Sequence, residues 1–85
     1  MTPFDVDWEP FALAALAEAY MNSADRPGVV VAQAAADALL AADPYSHSVE
    51  LSEGLFKLVV GPLGVLFSVD ESTRVVTVSG VGLVK

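Results

Sequence analysis

The chain contains no cysteine, one histidine, one tryptophan and four basic residues among its 85. Without cysteine it can form neither a disulfide nor a reactive thiolate. The bases are Arg26, Lys57, Arg74 and Lys85, against eleven acidic residues, and the formal net charge is −7. Nucleic acids and anionic membranes are bound largely through Lys and Arg. We therefore expect neither as a partner and favour a basic protein partner instead.

Long apolar runs are also absent. None approaches the ~20 residues that a membrane-spanning helix needs, and the longest run, 29–42, is interrupted by two polar side chains. Asp5, Asp7 and Glu9 occupy the place where a signal peptide carries basic and then apolar residues. We therefore expect a cytoplasmic protein that does not enter the membrane.

Apolar residues are abundant, at 54% of the chain. A chain of this length forms one domain and buries about 60–65% of the surface that its unfolded form exposes. Such a core cannot hold every apolar side chain. We expect an exposed apolar patch, which would serve a protein partner or a second copy of the chain.

The first predicted helix covers about residues 9–21, with Asp7 as its N-cap and Pro10 in its first turn. Its larger apolar residues recur at helical spacing, and we expect this face in the core: Leu13, Leu16, Ala17 and Tyr20.

The second predicted helix begins after Asp25, its N-cap, and ends at about Ala42, because the residue before Pro44 avoids the α region. Gln33 and Asp37 are expected on its solvent side. Its expected core face is the following set: Val29, Ala32, Ala36, Leu39 and Leu40.

Beyond Pro44 the apolar period changes to two, which is typical of strands. Four runs predict strands: 49–52, 55–60, 65–69 and 74–81. The links are 61–64 and a polar turn at 70–73. Consecutive strands with short links pair antiparallel. The predicted fold class is α+β, with two N-terminal helices packed on one face of a three- to four-stranded antiparallel sheet. Residues 4–8 alternate too, and predict either a short N-terminal strand or an extended lead-in.

This order of elements resembles the RelE/ParE superfamily of toxin–antitoxin toxins. The stretch 54–70, GLFKLVVGPLGVLFSVD, is similar to the family's middle strands, in which an aromatic–Lys pair precedes a turn and an apolar strand ending in aspartate. Residues 73–82, TRVVTVSGVG, are similar to the last strand, and Asp43-Pro44 closes the second helix as family members often do. The resemblance spans residues 4–84 and implies an antitoxin-like protein partner.

Ribonuclease members of that family cleave mRNA at the ribosome with a cluster of Lys, Arg and Tyr or His. Such cations stabilise the charge of a phosphorane-like transition state, and other groups move protons. The resemblance places Lys57 at a basic position of the family. It places Val65 where active members commonly carry Arg, and Leu83 and Val84 where they carry bases. The segment with a catalytic Tyr or His in some members would follow Lys85, the last residue of this sequence.

We therefore predict a catalytically degenerate relative that acts through protein binding. Two alternatives remain open, a ribosome-dependent mRNA endoribonuclease and a homodimeric interaction module. Lys57 is the one catalytic candidate. Lys57, Arg74, Lys85 and Trp8 are candidate partner-binding residues, although a solvent-facing strand lysine and a core or rim aromatic are the simpler interpretations of Lys57 and Trp8. Phe11 and Tyr45 are also expected in the core or at its rim.

No metal or cofactor site is expected. Asp5, Asp7 and Glu9 lack the spacing of a calcium loop, and a solvated strand edge and a helix cap explain them. Asp70 and Glu71 are expected in an exposed turn, where paired carboxylates do no acid–base work. His47 is the one imidazole, and no sequence pattern supplies it with a catalytic partner.

Overall fold

The computed structural model describes residues 3–84, which form two helices and five strands. The elements follow in this order: β1 (Asp5–Trp8), α1 (Pro10–Asn22), α2 (Arg26–Ala42), β2 (Ser48–Ser52), β3 (Leu55–Val60), β4 (Leu63–Asp70) and β5 (Val75–Leu83). The strands form one sheet in the order β1-β5-β4-β3-β2. Both helices pack on one face of it. The predicted α+β class with two N-terminal helices on one sheet face is confirmed.

The sheet has five strands, the fifth being the short N-terminal strand that was one of the two interpretations of residues 4–8, and it is not wholly antiparallel. Strands β2 to β5 pair antiparallel, as expected. Strand β1 pairs parallel with β5, with Asp5 opposite Val75. A parallel pair needs a long connection, and here everything from α1 to β4 supplies it. The link predicted over 61–64 is shorter than expected, because Leu63 and Gly64 already pair with β3.

The core lies between the helices and the middle of the sheet. Side chains alternate between the two faces of a strand, so every second residue of β3, β4 and β5 faces the helices. The fully buried members of this layer include Leu58, Val65, Phe67, Val76 and Val78. The helices meet them mainly through the small side chains of Ala12 and Ala36, with Leu40 at the same contact.

The predicted core face of α1 is wrong except at Leu16, which is partly buried against the core. Leu13 is 49% exposed and Tyr20 is 39% exposed, whereas the buried residues of α1 are Ala12 and Ala19. Small residues let the helix backbone approach β5 closely, and the larger side chains then lie beside α2 or in solvent. The predicted cap is also wrong, because Asp7 lies in β1 and the N-cap is Glu9, whose side chain makes no capping bond.

The predictions for α2 are confirmed more fully. The Gly28 amide donates to Oδ1 of Asp25 at 3.0 Å, which is the expected N-cap bond. The helix ends at Ala42, before Asp43 and Pro44. Four of the five predicted core residues are buried, and Leu39 is half-buried against the same cluster. Neither helix within residues 3–84 is long and apolar enough to cross a membrane.

One polar contact ties β1 to α2. The indole Nε1 of Trp8 donates to Oδ1 of Asp37 at 3.0 Å. Asp37 was expected on the solvent side of α2, but it is half-buried beneath this contact. Trp8 itself packs against the core from the helix side of the sheet.

We expect Asp37→Ala to lower the free energy of unfolding by about 1 kcal/mol, because the partly buried indole N–H loses its acceptor. Trp8 is the one tryptophan of the chain, so its emission reports both unfolding and this contact. Asp5→Ala removes an exposed carboxylate from the same strand and is the control, with an expected change below about 0.5 kcal/mol. Equal losses in the two variants would show that the contact contributes nothing.

Candidate functional site

The sheet face opposite the helices is uncovered, and we call it the open face. Strand alternation and register assign its residues. They are Asp5 and Asp7 of β1, Val75, Thr77, Gly80 and Gly82 of β5, Gly64, Leu66, Ser68 and Asp70 of β4, Leu55, Lys57 and Val59 of β3, and Val49 of β2. The pairing of β4 with β5 skips Ser79. This extra residue turns Gly80 and Gly82 to the open face, because it shifts the alternation of β5 by one.

A groove of about 570 Å³ runs across the open face. Glycines form its floor, since Gly64, Gly80 and Gly82 contribute no side chains there. A Cβ on Gly64 would lie 3.1 Å from Cγ2 of Val84 and 3.3 Å from Cε of Lys57. A Cβ on Gly80 would lie 3.3 Å from Cδ1 of Leu66. The groove therefore depends on glycine at both positions.

Lys57 borders the groove and pairs across the sheet with Leu66, which in turn pairs with Gly80. The side chain is half-buried, because its aliphatic stem lies against the glycine floor. Among residues 3–84, Lys57 is the one base on the open face, since Arg26 belongs to α2 and Arg74 to the hairpin turn. Sequence reasoning singled out Lys57, but not the glycines that make its surroundings.

Arg74 lies outside the groove and contacts Phe4 and Glu71. Its guanidinium lies 4.0 Å above the ring of Phe4, and its Nη1 is 3.9 Å from Oε1 of Glu71. Its carbonyl accepts a hydrogen bond from the Asp5 amide at 2.9 Å. Arg74 therefore joins the β4–β5 hairpin to β1. A role for it in partner binding stays a prediction.

The other sequence candidates lie apart from Lys57. Trp8 is on the helix side of the sheet, and Lys85 lies outside the described residues. His47 is exposed in the turn between α2 and β2. Tyr45 is a rim aromatic, as expected, but Phe11 is 81% exposed and belongs to neither core nor rim. The structure thus brings none of these side chains to Lys57.

The resemblance placed Val65 where active family members commonly carry an arginine, but the structure shows that Val65 is not at a surface site. Val65 is 0% exposed and packs in the core beneath the helices. A shift of one residue moves a side chain to the opposite face of a strand. The residues of β4 that face Lys57 across the open face are Leu66 and Gly64, and neither carries a charge.

Hydrogen bonds hold the hairpin turn beside this face. Oδ1 of Asp70 accepts from the hydroxyl of Ser72 and from the amides of Ser72 and Thr73, and these bonds lower the pKa of Asp70. The Tyr45 hydroxyl donates to Oε2 of Glu71. This bond, with some burial, raises the pKa of Tyr45 to about 12. In the turn between α2 and β2, the Ser46 hydroxyl donates a hydrogen bond to Oδ2 of Asp43, and this bond lowers the pKa of Asp43.

We expect Glu71→Gln to bring the pKa of Tyr45 down from about 12 toward its ordinary value of about 10. A raised folded-state pKa favours the protonated phenol. Its contribution to stability is therefore full below about pH 10 and is lost as the pH rises through about 12. Because Tyr45 is partly exposed, that contribution is at most about 1 kcal/mol.

Ultraviolet titration in a Tyr20→Phe background isolates the Tyr45 phenol for this measurement. Glu53→Gln removes a comparably exposed turn carboxylate and should leave the titration unchanged. An equal response to both substitutions would contradict the bond between Tyr45 and Glu71.

A second groove lies between the two helices, on the side away from the sheet, and accounts for part of the expected exposed apolar surface. It measures about 330 Å³. We call it the helix groove, and its lining is almost wholly apolar: Leu13, Leu16, Ala17, Tyr20, Met21, Val29, Val30 and Gln33. In the part of the chain that the structure describes, no group of three or more His, Cys, Asp or Glu residues is placed to hold a metal ion.

Two solved structures share this fold. One is a chain of the toxin–antitoxin complex RelBE2 from Mycobacterium tuberculosis, with a TM-score of 0.81 and 20% identity over 99% of this chain and 94% of that chain. The other belongs to the archaeal RelE–RelB complex from Pyrococcus horikoshii OT3, with a TM-score of 0.62 and 18% identity over 98% of this chain and 96% of that chain. No protein-family model and no curated protein matches the sequence. The predicted RelE-like toxin fold is confirmed.

Proposed function

We propose that this protein acts in the cytoplasm as the toxin-like member of a toxin–antitoxin pair, and that it acts by binding protein rather than by cleaving mRNA. The charge pattern of the open face supports this most strongly. Over residues 3–84 that face carries one base, Lys57, and three exposed acids, Asp5, Asp7 and Asp70.

The electrostatic requirements of phosphodiester cleavage argue against a ribonuclease. Loss of one group that stabilises transition-state charge typically costs about 10²–10³ in rate. Here the two residues that flank Lys57 across the sheet are Leu66 of β4 and Val49 of β2, and neither carries a charge. Within the described residues 3–84, no second base therefore lies beside Lys57 at the groove. The formal net charge of −7 also opposes the approach of RNA phosphates.

The same charge suits a basic protein partner. Chains of this fold occur in complexes with antitoxins in the two structures described above. Besides the open face, the helix groove offers exposed Met21 and Val30, and apolar surface of this kind commonly marks a protein contact. We infer an antitoxin-like partner with an excess of Lys and Arg.

The test is cleavage of ribosome-bound mRNA by the purified protein, with 5′ ends mapped on the transcript. An active RelE ribonuclease is the positive control. We expect no cleavage above background from the wild type, and the same result from Lys57→Ala. Cleavage by the wild type that Lys57→Ala abolishes would establish the endoribonuclease alternative and overturn the proposal.

The homodimeric alternative is tested separately, by sedimentation at micromolar protein concentration. We expect a monomeric mass for the isolated chain, and a heteromeric complex with a small basic protein after purification from the native host. A stable homodimer that recovers no partner would favour the interaction module instead.

A further inference from the structure

We infer that the open face is the docking surface for an α-helix of a basic protein partner, and that the charges of this face determine the direction of that helix. The inference rests on the proposed function only in taking the partner to be a protein. Three features of the open face support it: the separation of its charges, the uncharged strip between them and the glycine-floored groove.

The charges lie at opposite corners of the open face. Lys57 is on β3, and Asp5 and Asp7 are on β1, three strands away in the sheet. Asp70, at the end of β4, is level with Asp5 through Val75 and belongs to the same acidic end of the face. Through the register, Lys57 is level with Leu66, whereas Asp7 is level with Ser68 on the same strand. Strands are about 4.8 Å apart and residues rise about 3.3 Å along them. Lys57 and Asp7 are therefore separated by roughly 16 Å along a diagonal.

The surface between these corners is uncharged and has little relief. It consists of Leu66, Ser68, Thr77 and Gly80. An extended peptide crossing it would leave its own backbone groups unpaired, whereas a helix satisfies them internally. Helices already cover the other face of this sheet. A helix spans 16 Å in about 11 residues, or three turns, and one side chain of such a helix can enter the groove beside Lys57.

The helix dipole decides the direction. A helix is equivalent to a partial positive charge at its N-terminus and a partial negative charge at its C-terminus. The favourable arrangement places the N-terminus over Asp5 and Asp7, and the C-terminus over Lys57. Basic side chains in the first turn of the partner helix and an acid in its last turn strengthen this arrangement. The reverse direction brings like charges together at both ends.

A second copy of this chain fits the face less well. Each copy would bring a net charge of −7 and one open-face lysine, so repulsion between the two copies exceeds the pairing that two lysines provide. A basic partner is instead attracted to this acidic chain at long range. Charge therefore selects the partner helix over self-association.

The probes are two stapled synthetic helices of about 12 residues, the length that covers the diagonal. One carries Lys in its first turn and Glu in its last, and the other carries the same residues in reverse order. Each is titrated at low salt into the full-length ¹⁵N-labelled protein. We expect the first peptide to shift the amides of Leu66, Thr77 and Gly80, and to bind about fivefold more tightly than the second. At ~1 M salt, where the Debye length is about 3 Å, this preference should disappear.

The charge-swapped variant Lys57→Glu, Asp5→Lys, Asp7→Lys should prefer the second peptide, and its amide spectrum shows whether it folds. Lys57→Gln and Asp7→Asn are milder variants, each expected to reduce the preference about twofold.

Equal affinities, no binding, or shifts confined to α1 and α2 would overturn the inference. Movement of the same amides with protein concentration alone would assign the face to a second copy, and would overturn it as well. Cleavage of mRNA by the wild type would remove the proposed function while leaving the directional binding intact, so the two failures are distinguishable.

Discussion

Val65→Arg is expected to destabilise the fold by at least about 3–5 kcal/mol, because it places an unpaired guanidinium in the core. The free energy of unfolding of an 85-residue domain is about 4–13 kcal/mol by the usual value per residue. The substitution therefore removes much or all of the stability. Val65 is 0% exposed and lies among Leu58, Phe67 and Val78.

The matched control is Leu66→Arg, one residue along the same strand. Leu66 is half-buried on the open face, where a guanidinium reaches solvent. We expect a loss of at most about 1 kcal/mol from Leu66→Arg. Urea denaturation followed by circular dichroism measures both variants. Similar losses in the two variants would contradict the assignment of these neighbouring residues to opposite faces of β4.

Phe67→Ala is the substitution with the next largest expected effect, a loss of about 3–5 kcal/mol. The Phe67 ring is fully buried and stacks on Phe56, with ring centroids 5.5 Å apart and an interplanar angle of 18°. Truncation removes apolar area from the core and leaves a cavity that the packed strands cannot readily close.

Phe11→Ala makes the same chemical change at an exposed site. Phe11 is exposed on α1, so we expect a change in the free energy of unfolding within about 0.5 kcal/mol. Both variants lose the same ring, so the difference between their free energies of unfolding measures the effect of burying it. Comparable losses of unfolding free energy in the two variants would mean that Phe67 is not at the centre of the core.

The two helices show which parts of the fold local sequence determines. In α2 the capping Asp25 and the breaking Pro44 act on neighbouring residues, and both ends were predicted correctly. In α1 the choice of buried face depends on how closely the helix approaches β5. Ala12 and Ala19 permit that approach, but a periodicity argument gives the larger Leu13 and Tyr20 more weight. Of the face that apolar period alone selected on α1, only Leu16 packs against the core.

Contacts between distant strands explain what was missed at the candidate site. The run 4–8 could be read as a strand, but its parallel pairing with β5 joins residues about seventy positions apart. The skipped residue Ser79 moves Gly80 and Gly82 onto the open face, and the alternation of apolar residues over 75–83 does not indicate that shift. Their spacing of two was the available signal, since alternate glycines share one face of a strand.

The carried-over arginine position failed for a related reason. Two short apolar strands can be aligned one residue out of register and still look similar. Such a shift, however, moves each side chain to the opposite face of the sheet. The interpretation of Lys57 as a solvent-facing strand residue agrees with its place on the open face, because a charged side chain is excluded from the core whatever the register. Val65 was assigned to an active-site position that its burial excludes.

The most direct test of the central claim is the growth of a bacterial culture after induced expression of the wild type and of Lys57→Ala, with mRNA integrity measured in the same cells. We predict that the two cultures grow alike and that their mRNA stays intact, whether or not binding to a protein target slows both. Growth arrest with cleaved mRNA in the wild type, relieved by Lys57→Ala, would contradict the account, because one lysine would then be sufficient for ribonuclease chemistry on the open face.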